Sequence, residues 1–219
     1  MLFVRDELAV MGEREIDVDE AIRDVYAPTI ADDGARLLWY LYSTHGAGNG
    51  YYTIVITAVR DGAAWERLSR RLRYGDLAEW STQLDAMTYS SNSSMMVSTE
   101  WSPLADVDFD SLPTEPVEHE VSLFREDAIE NADVDGSDLS RASADRDAIL
   151  TCIAGFRPFM DRGPLRILYG ASGVDEMERA FATDGWDDWS GSLTPTLPHG
   201  AHRSARLLRD VPWSPMGRA

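Results

Sequence analysis

The chain has 219 residues, 44% of them hydrophobic, and a formal charge of −18 with a pI near 4.4. That apolar content suffices for a core, while so acidic a surface lacks the cationic face that nucleic acid and anionic membranes need for counterion release. All 20 basic residues are arginine, which excludes Schiff-base lysine chemistry and the lysine of a phosphate-binding P-loop.

The opening MLFVRDELAV alternates apolar and charged residues and predicts a strand. Its charges fall where a signal peptide needs a hydrophobic run, and no apolar stretch approaches the roughly 18 residues that span a bilayer, so a cytoplasmic protein is expected. EREIDVDEAIRDVYAPTI comes next, with Asp17 and Glu20 as a capping-box-like pair and Val18, Ile22, Val25 and Tyr26 at helical spacing. RLLWYLYST and YYTIVITAVR, rich in aromatic and β-branched residues, flank HGAGNG and predict an antiparallel hairpin whose glycines are turn chemistry. After Asp61-Gly62, Trp65, Leu68 and Leu72 mark one helix, and beyond the break at Gly75 a second carries Leu77, Trp80, Leu84 and Met87. SMMVSTEW, from Ser94 to Trp101, is the last strand of a β-α-β-β-α-β unit, the split βαβ or ferredoxin-like order.

Residues 105–118, ADVDFDSLPTEPVE, are acidic and proline-bearing and predict a linker. Beyond residue 118 the chain repeats its first half in degenerate form. HEVSLFRED matches LFVRDEL, AILTCIAGF and PLRILYGAS can pair as a hairpin, VDEMERAF matches AAWERL, GWDDWSGSL matches LAEWSTQL, and VPWSP echoes EWSPL. A period of about 110 residues fits a duplicated domain and is too long for a solenoid. The expected organisation is therefore α+β, with one ferredoxin-like unit over 1–104, the linker, and a second, degenerate unit over 119–219. The polar ENADVDGSDLSRASADRD stands where the second copy needs its first helix, which is expected to be short, replaced or disordered.

Two fused units of this order, with RRLRYGDLAEWSTQL leading into the returning strand, resemble the dimeric α/β-barrel superfamily. Within it the chain is similar to NIPSNAP-like proteins, whose comparable basic helix leads into an acidic-aromatic D-x-x-W segment. Here Asp76 to Trp80 has one extra residue. The resemblance covers most of residues 2–104 and, more weakly, 119–216. It implies a barrel made by two units and a pocket in each unit between sheet and helices. Relatives include cofactor-independent monooxygenases, haem-degrading enzymes, dehydratases and cyclases, alongside proteins without known activity; fold does not choose among them.

HGAGNG lacks phosphate-loop spacing and precedes a strand, so it offers no helix N-terminus to an anion. His45 is the candidate acid or base, with Tyr42 and Tyr40 as hydrogen-bond donors. Trp39, Trp65, Tyr74 and Trp80 are the candidate lining of a pocket for a planar or lipophilic ligand. The second copy offers mainly Phe156, Tyr169, Trp186 and Trp189. His199 and His202 are spaced i, i+3, but Pro198 and Gly200 argue against a helix there, and no metal site is expected. His119 is placed at the opening strand of the second copy, and the lone Cys152, in an apolar neighbourhood, is expected to be buried and inert. No hydrolase motif is present and no bound cofactor is expected, although haem on one of the four histidines stays open. Two functions are consistent with these features. One is a small-molecule enzyme of secondary or catabolic metabolism, of monooxygenase, cyclase or dehydratase type, acting on an aromatic or lipophilic substrate. The other is a non-catalytic ligand-binding or oligomeric assembly module, and a homo-oligomer is an expected partner in either case.

Overall fold

The computed structural model describes residues 1–31, 33–44, 51–130, 150–160, 163–171, 173–178 and 202–217, the side chains of 202 and 203 excepted. It is an α+β protein of antiparallel sheet with few helices. By contact the chain divides into two units: Met1–Met96 with Asp108–Val121 and Arg209–Gly217, and Val97–Val107 with Ser122–Leu208. This differs from the expected division at 105–118. Trp213 and Ser214 pack on the first unit, and the segment expected to be a linker buries Phe109 and Leu112 there.

In the first unit β1 (Leu2–Val10), β2 (Ala35–Ser43), β3 (Tyr51–Val59) and β4 (Thr88–Ser98) stand in the order β4-β1-β3-β2, all antiparallel. The predicted hairpin is β2-β3, with Tyr40 opposite Val55 and Tyr42 opposite Thr53. β4 begins six residues earlier than the apolar pattern indicates, because its first half is a serine-rich stretch that the period-2 signal does not register. Successive side chains on a strand face opposite sides. Leu2, Val4, Asp6, Leu8 and Val10 therefore share one face of the sheet with Tyr40, Tyr42, Val55 and Val59, while Phe3, Arg5, Glu7 and Trp39 lie on the other.

Helices cover the first of these faces. α1 (Glu15–Glu20) runs into a π-helical segment, Ala21–Tyr26, and then α2 (Ala27–Ala31). Pro28 has no N–H to offer the Asp24 carbonyl one turn back, and widening the preceding turn to an i→i+5 pattern relieves that mismatch. Asp17 does not cap this helix. The N-cap position is Arg14, without a side-chain cap, and Arg14 instead pairs with Asp17 at 2.6 Å. Val18, Ile22, Tyr26 and Ile30 face the sheet, while Val25 is exposed. α3 (Gly62–Tyr74) is capped by Asp61, whose Oδ1 accepts from the Ala64 amide at 2.8 Å; α4 (Ala78–Ala86) comes after it.

In the second unit β5 (Leu123–Glu130), β6 (Thr151–Pro158), β7 (Leu165–Ala171) and β8 (His202–Asp210) stand in the order β8-β5-β7-β6, with a helical turn at 174–178. β8 runs through HRSARLLRD, a stretch whose arginines conceal it from the sequence reading.

The two WSP motifs repeat in three dimensions. The amides of Ser102 and Ala105 donate to the carbonyls of Thr99 and Ser102, and those of Ser214 and Gly217 to the carbonyls of Val211 and Ser214, the same two turns 112 residues apart. Ser102 Oγ accepts from the Gly155 amide at 3.0 Å in the second unit, and Ser214 Oγ from the Tyr40 amide at 3.2 Å in the first. β2 and β6 carry their register shifts at matching places, after Leu37 and after Cys152, which makes Gly155 the counterpart of Tyr40.

Candidate functional site

The helix-covered face of the first sheet brings polar groups into an apolar layer at two places. At the β2 end, Tyr40 is buried and its hydroxyl donates to that of Tyr42 at 3.4 Å, the two rings meeting edge to face with centroids 5.1 Å apart. Trp213 stacks on Tyr40 at 5.1 Å and its Nε1–H donates to Asp19 Oδ1 at 2.9 Å. Burial is the main cause of every pKa shift here: it pushes Tyr42 up to about 12, Tyr40 well above its ordinary range, and the Asp19 carboxyl upward against the opposing pull of the Trp213 hydrogen bond. The two phenols are therefore neutral donors at neutral pH, and Tyr42, half-buried, is the one that reaches solvent.

The second place lies deeper along the sheet. Tyr26, on the π-helical segment, shares a 3.2 Å hydrogen bond with Thr57 on β3, and the Trp80 indole lies flat against the Tyr26 ring. Asp6 on β1, half-buried, accepts a hydrogen bond from the hydroxyl of the exposed Ser93, its register partner on β4. Burial raises the Asp6 carboxyl, with Ser93 and Arg5 pulling the other way. An open hollow of about 510 Å³ beside α1 and α4 is lined by Trp80, Val25 and Met87 together with Asp17, Glu20 and Asp24.

Of the residues singled out from sequence, Tyr40 and Tyr42 stand together, and Trp80 joins Tyr26 on the same face. Trp39 is on the opposite face of the sheet, fully buried, its Nε1–H donating to the Gly217 carbonyl at 3.0 Å. Trp65 and Tyr74 lie on the outer surface of α3, 39% and 84% exposed, because Ala64, Leu68 and Leu72 form that helix's sheet-facing stripe. His45, Trp186, Trp189 and His199 lie outside the described residues, as does the His202 side chain. In the second unit Phe156 and Tyr169 are buried. Cys152 is buried, which pushes its thiol up to about 12 and removes it as a nucleophile. His119 ties two backbone carbonyls, Nδ1 to Glu120 at 2.8 Å and Nε2 to Ser214 at 2.9 Å, beside the buried Asp210. Among the described residues no three His, Cys, Asp or Glu side chains are grouped to hold a metal ion, and no helix is long and apolar enough to cross a membrane. Asp6, Asp19 and Trp213 were not singled out from sequence. The first could have been, since an acid interrupts the apolar alternation at the same point of LFVRDEL and LFREDAI.

No protein-family model matches the chain, and no curated protein matches it. Solved structures do. A putative monooxygenase from Fusobacterium nucleatum aligns over 99% of this chain and 94% of its own at 7% identity, with a TM-score of 0.62. A putative monooxygenase from Lactobacillus acidophilus aligns over 99% and 96% at 12% identity, with a TM-score of 0.58. A chlorite dismutase variant from Candidatus Nitrospira defluvii aligns over 96% and 92% at 9% identity, with a TM-score of 0.55. A NIPSNAP domain protein from Burkholderia xenovorans aligns over 47% of this chain and 99% of its own, at 15% identity and a TM-score of 0.38. The chain thus shares the fold of the two putative monooxygenases and of the chlorite dismutase variant.

Proposed function

We propose that the protein is a small-molecule enzyme whose site is the helix-covered face of the first sheet, with an aromatic or lipophilic substrate and no bound cofactor. The reading takes the chain as two β-α-β-β-α-β units in tandem, a view that the paired WSP turns and the matching strand orders support. The observation that carries the function is the Tyr40–Tyr42 pair. Two phenol hydroxyls 3.4 Å apart, kept neutral by burial and flanked by Trp213, form a donor set for a carbonyl or phenolate oxygen. Such a set polarises an activated aromatic substrate without a cofactor, so chemistry of monooxygenase, cyclase or dehydratase type needs only positioning and one proton transfer. The fold neighbours described as monooxygenases agree with this class. Thr44 leads from the pair directly into the segment that holds His45, which we assign the acid or base role on sequence grounds.

The exposed Trp65 and Tyr74 favour one alternative, a non-catalytic assembly module that presents α3 to a second copy. Native mass spectrometry of the protein as purified, then calorimetric titration of Tyr42→Phe and His45→Ala with the retained molecule, separates the two. A bound aromatic or lipophilic compound is expected, with each variant weakening it by on the order of 1–3 kcal/mol through loss of a buried hydrogen bond. Protein that arrives empty and oligomeric would favour assembly.

A further inference from the structure

The opening strands of the two units match without a gap: Leu2-Phe3-Val4-Arg5-Asp6-Glu7-Leu8 against Leu123-Phe124-Arg125-Glu126-Asp127-Ala128-Ile129. The strand registers place Asp6 and Asp127 equivalently. Asp6 lies on the helix-covered side of the first sheet, opposite Val55, and Asp127 takes the equivalent register position in the second, opposite Ile167. Their surroundings differ at one neighbouring position. Where β1 has Val4, β5 has Arg125, whose Nε and Nη2 fork onto both oxygens of Asp127 at 2.6 and 3.1 Å, with both side chains buried. Among the described residues no ion pair reaches Asp6. It is met by Ser93 Oγ from β4, by Val55 from β3 and by the Tyr26 phenol from the helix, with Arg5 adjacent on its own strand but aimed to the other face.

A second divergence points the same way. Tyr40 has Gly155 as its counterpart, and there the missing side chain admits the Trp101 indole. A Cβ on Gly155 would overlap two indole carbons and come within 2.8 Å of Thr99 Oγ1. Among the described residues, the tryptophan of the second unit's WSP turn occupies the place of the phenol and a salt bridge holds the aspartate, while the first unit keeps Tyr40, with Trp213 stacked on it, and an unforked carboxyl.

We infer that Asp6 is a proton-exchanging group of the first unit's site, in addition to the acid or base role assigned to His45, and that the second unit, with Asp127 held by Arg125, does not share this role. The inference rests on the reading that this face of the first sheet is the site. In one exchange the Asp6 carboxyl gives its proton to a basic atom of the ligand. The carboxylate left behind is held by the Ser93 hydroxyl and takes a proton back when the ligand leaves. Burial raises the Asp6 carboxyl and so favours the protonated form that donates, whereas a bidentate guanidinium favours the ionised carboxylate.

The probe is dicyclohexylcarbodiimide, a lipophilic reagent for protonated carboxyls, with labelled sites located by fragmentation mass spectrometry of the full chain. Asp6 is expected to label about tenfold faster than Asp127 at pH 6, with a rate that falls about tenfold per unit above its own titration point. Arg125→Val, which restores the residue found at position 4, is expected to bring Asp127 labelling toward that of Asp6. If that variant does not fold, the wild-type comparison still decides. Equal labelling of the two aspartates, or an Asp6 that does not react, overturns the inference. Asp6→Asn supplies a second readout. A carboxyl raised in the folded state contributes stability below its unfolded pKa and loses it as pH rises through the folded pKa. Asp6→Asn should therefore melt above the parent at neutral pH and converge with it below pH 3.8, the ordinary carboxyl value. A variant that melts below the parent at neutral pH would make Asp6 a structural group instead. None of these measurements uses the ligand, so the inference can fail while a retained small molecule upholds the site.

Discussion

The Trp80 indole lies on the Tyr26 ring with centroids 4.8 Å apart and planes 13° from parallel, and its Nε1–H donates to the Ala21 carbonyl at 2.9 Å. Both partners belong to the π-helical segment, so one side chain from α4 holds the irregular turn against the sheet. Trp80→Ala should cost about 3–5 kcal/mol in denaturant unfolding. Trp80→Phe keeps a ring on Tyr26 and loses the donated hydrogen bond with part of the stacked area, so it should recover much of that loss. If alanine and phenylalanine destabilise equally, the hydrogen bond and not the stacking fixes the segment.

Gly155 is a position where the second unit has no room for a side chain. Gly155→Ala forces its methyl into the Trp101 ring and should destabilise by roughly 1–3 kcal/mol or more. Combining it with Trp101→Leu should give less than the sum of the two single losses, since the smaller side chain vacates the space. Additive losses in a double-mutant cycle would show that the clash is absorbed elsewhere.

Alkali should unfold the protein early. Tyr42 and Cys152 are raised to about 12 from 10.0 and 9.0, and Tyr26 and Tyr40 are raised as well, all chiefly by burial. Groups with folded pKa values above their unfolded ones contribute stability that is complete below the unfolded pKa and is lost as pH rises through the folded one. Melting temperature should therefore hold up to about pH 9 and fall steadily toward pH 12. Tyr42→Phe and Cys152→Ala should each shallow that fall. A profile unchanged in both would mean that other groups govern it.

Phe109 sits in the acidic segment after β4 with the Arg60 and Arg36 guanidinium groups 4.4 and 5.0 Å from its ring centre, and Arg60 also forks onto Asp110. Phe109→Ala should cost about 3–5 kcal/mol, the range for a buried aromatic, and leave protease cleavage within 105–118 faster than in the parent. Cleavage there that is already fast in the parent would show the contact to be weak.

The parts of the fold legible in the sequence are those that rest on local periodicity. The two hairpins are legible because β-branched and aromatic residues concentrate on both sides of a glycine-bearing turn. Trp39 and Tyr40 are adjacent in sequence and look alike in composition, yet strand alternation sends them to opposite faces, so a list of aromatic residues could not become a pocket. Trp65 falls on the helical stripe with Leu68, but Ala64 takes the inward position, and an alanine gives no signal in an apolar count. The site's remaining parts come from far along the chain. Trp213 and Asp19 are separated by 194 residues, and no spacing rule reaches that distance. The WSP repeat was visible, whereas its destination was not: the turn after β8 packs on the first unit and the turn after β4 on the second.

That destination bears on how the chain can fold while it is being made. Trp39 Nε1–H, the Tyr40 amide and the Leu38 carbonyl are buried in the first unit and meet Gly217, Ser214 and Met216. A ribosome releases β1 through β4 long before it reaches those residues, and buried polar groups without partners are costly. The nascent first unit therefore lacks these partners of its second strand until the C-terminal turn, through Gly217, has been made and has docked. The phenol pair of β2, with Trp213 stacked on Tyr40, is then enclosed only once the C-terminal turn has docked.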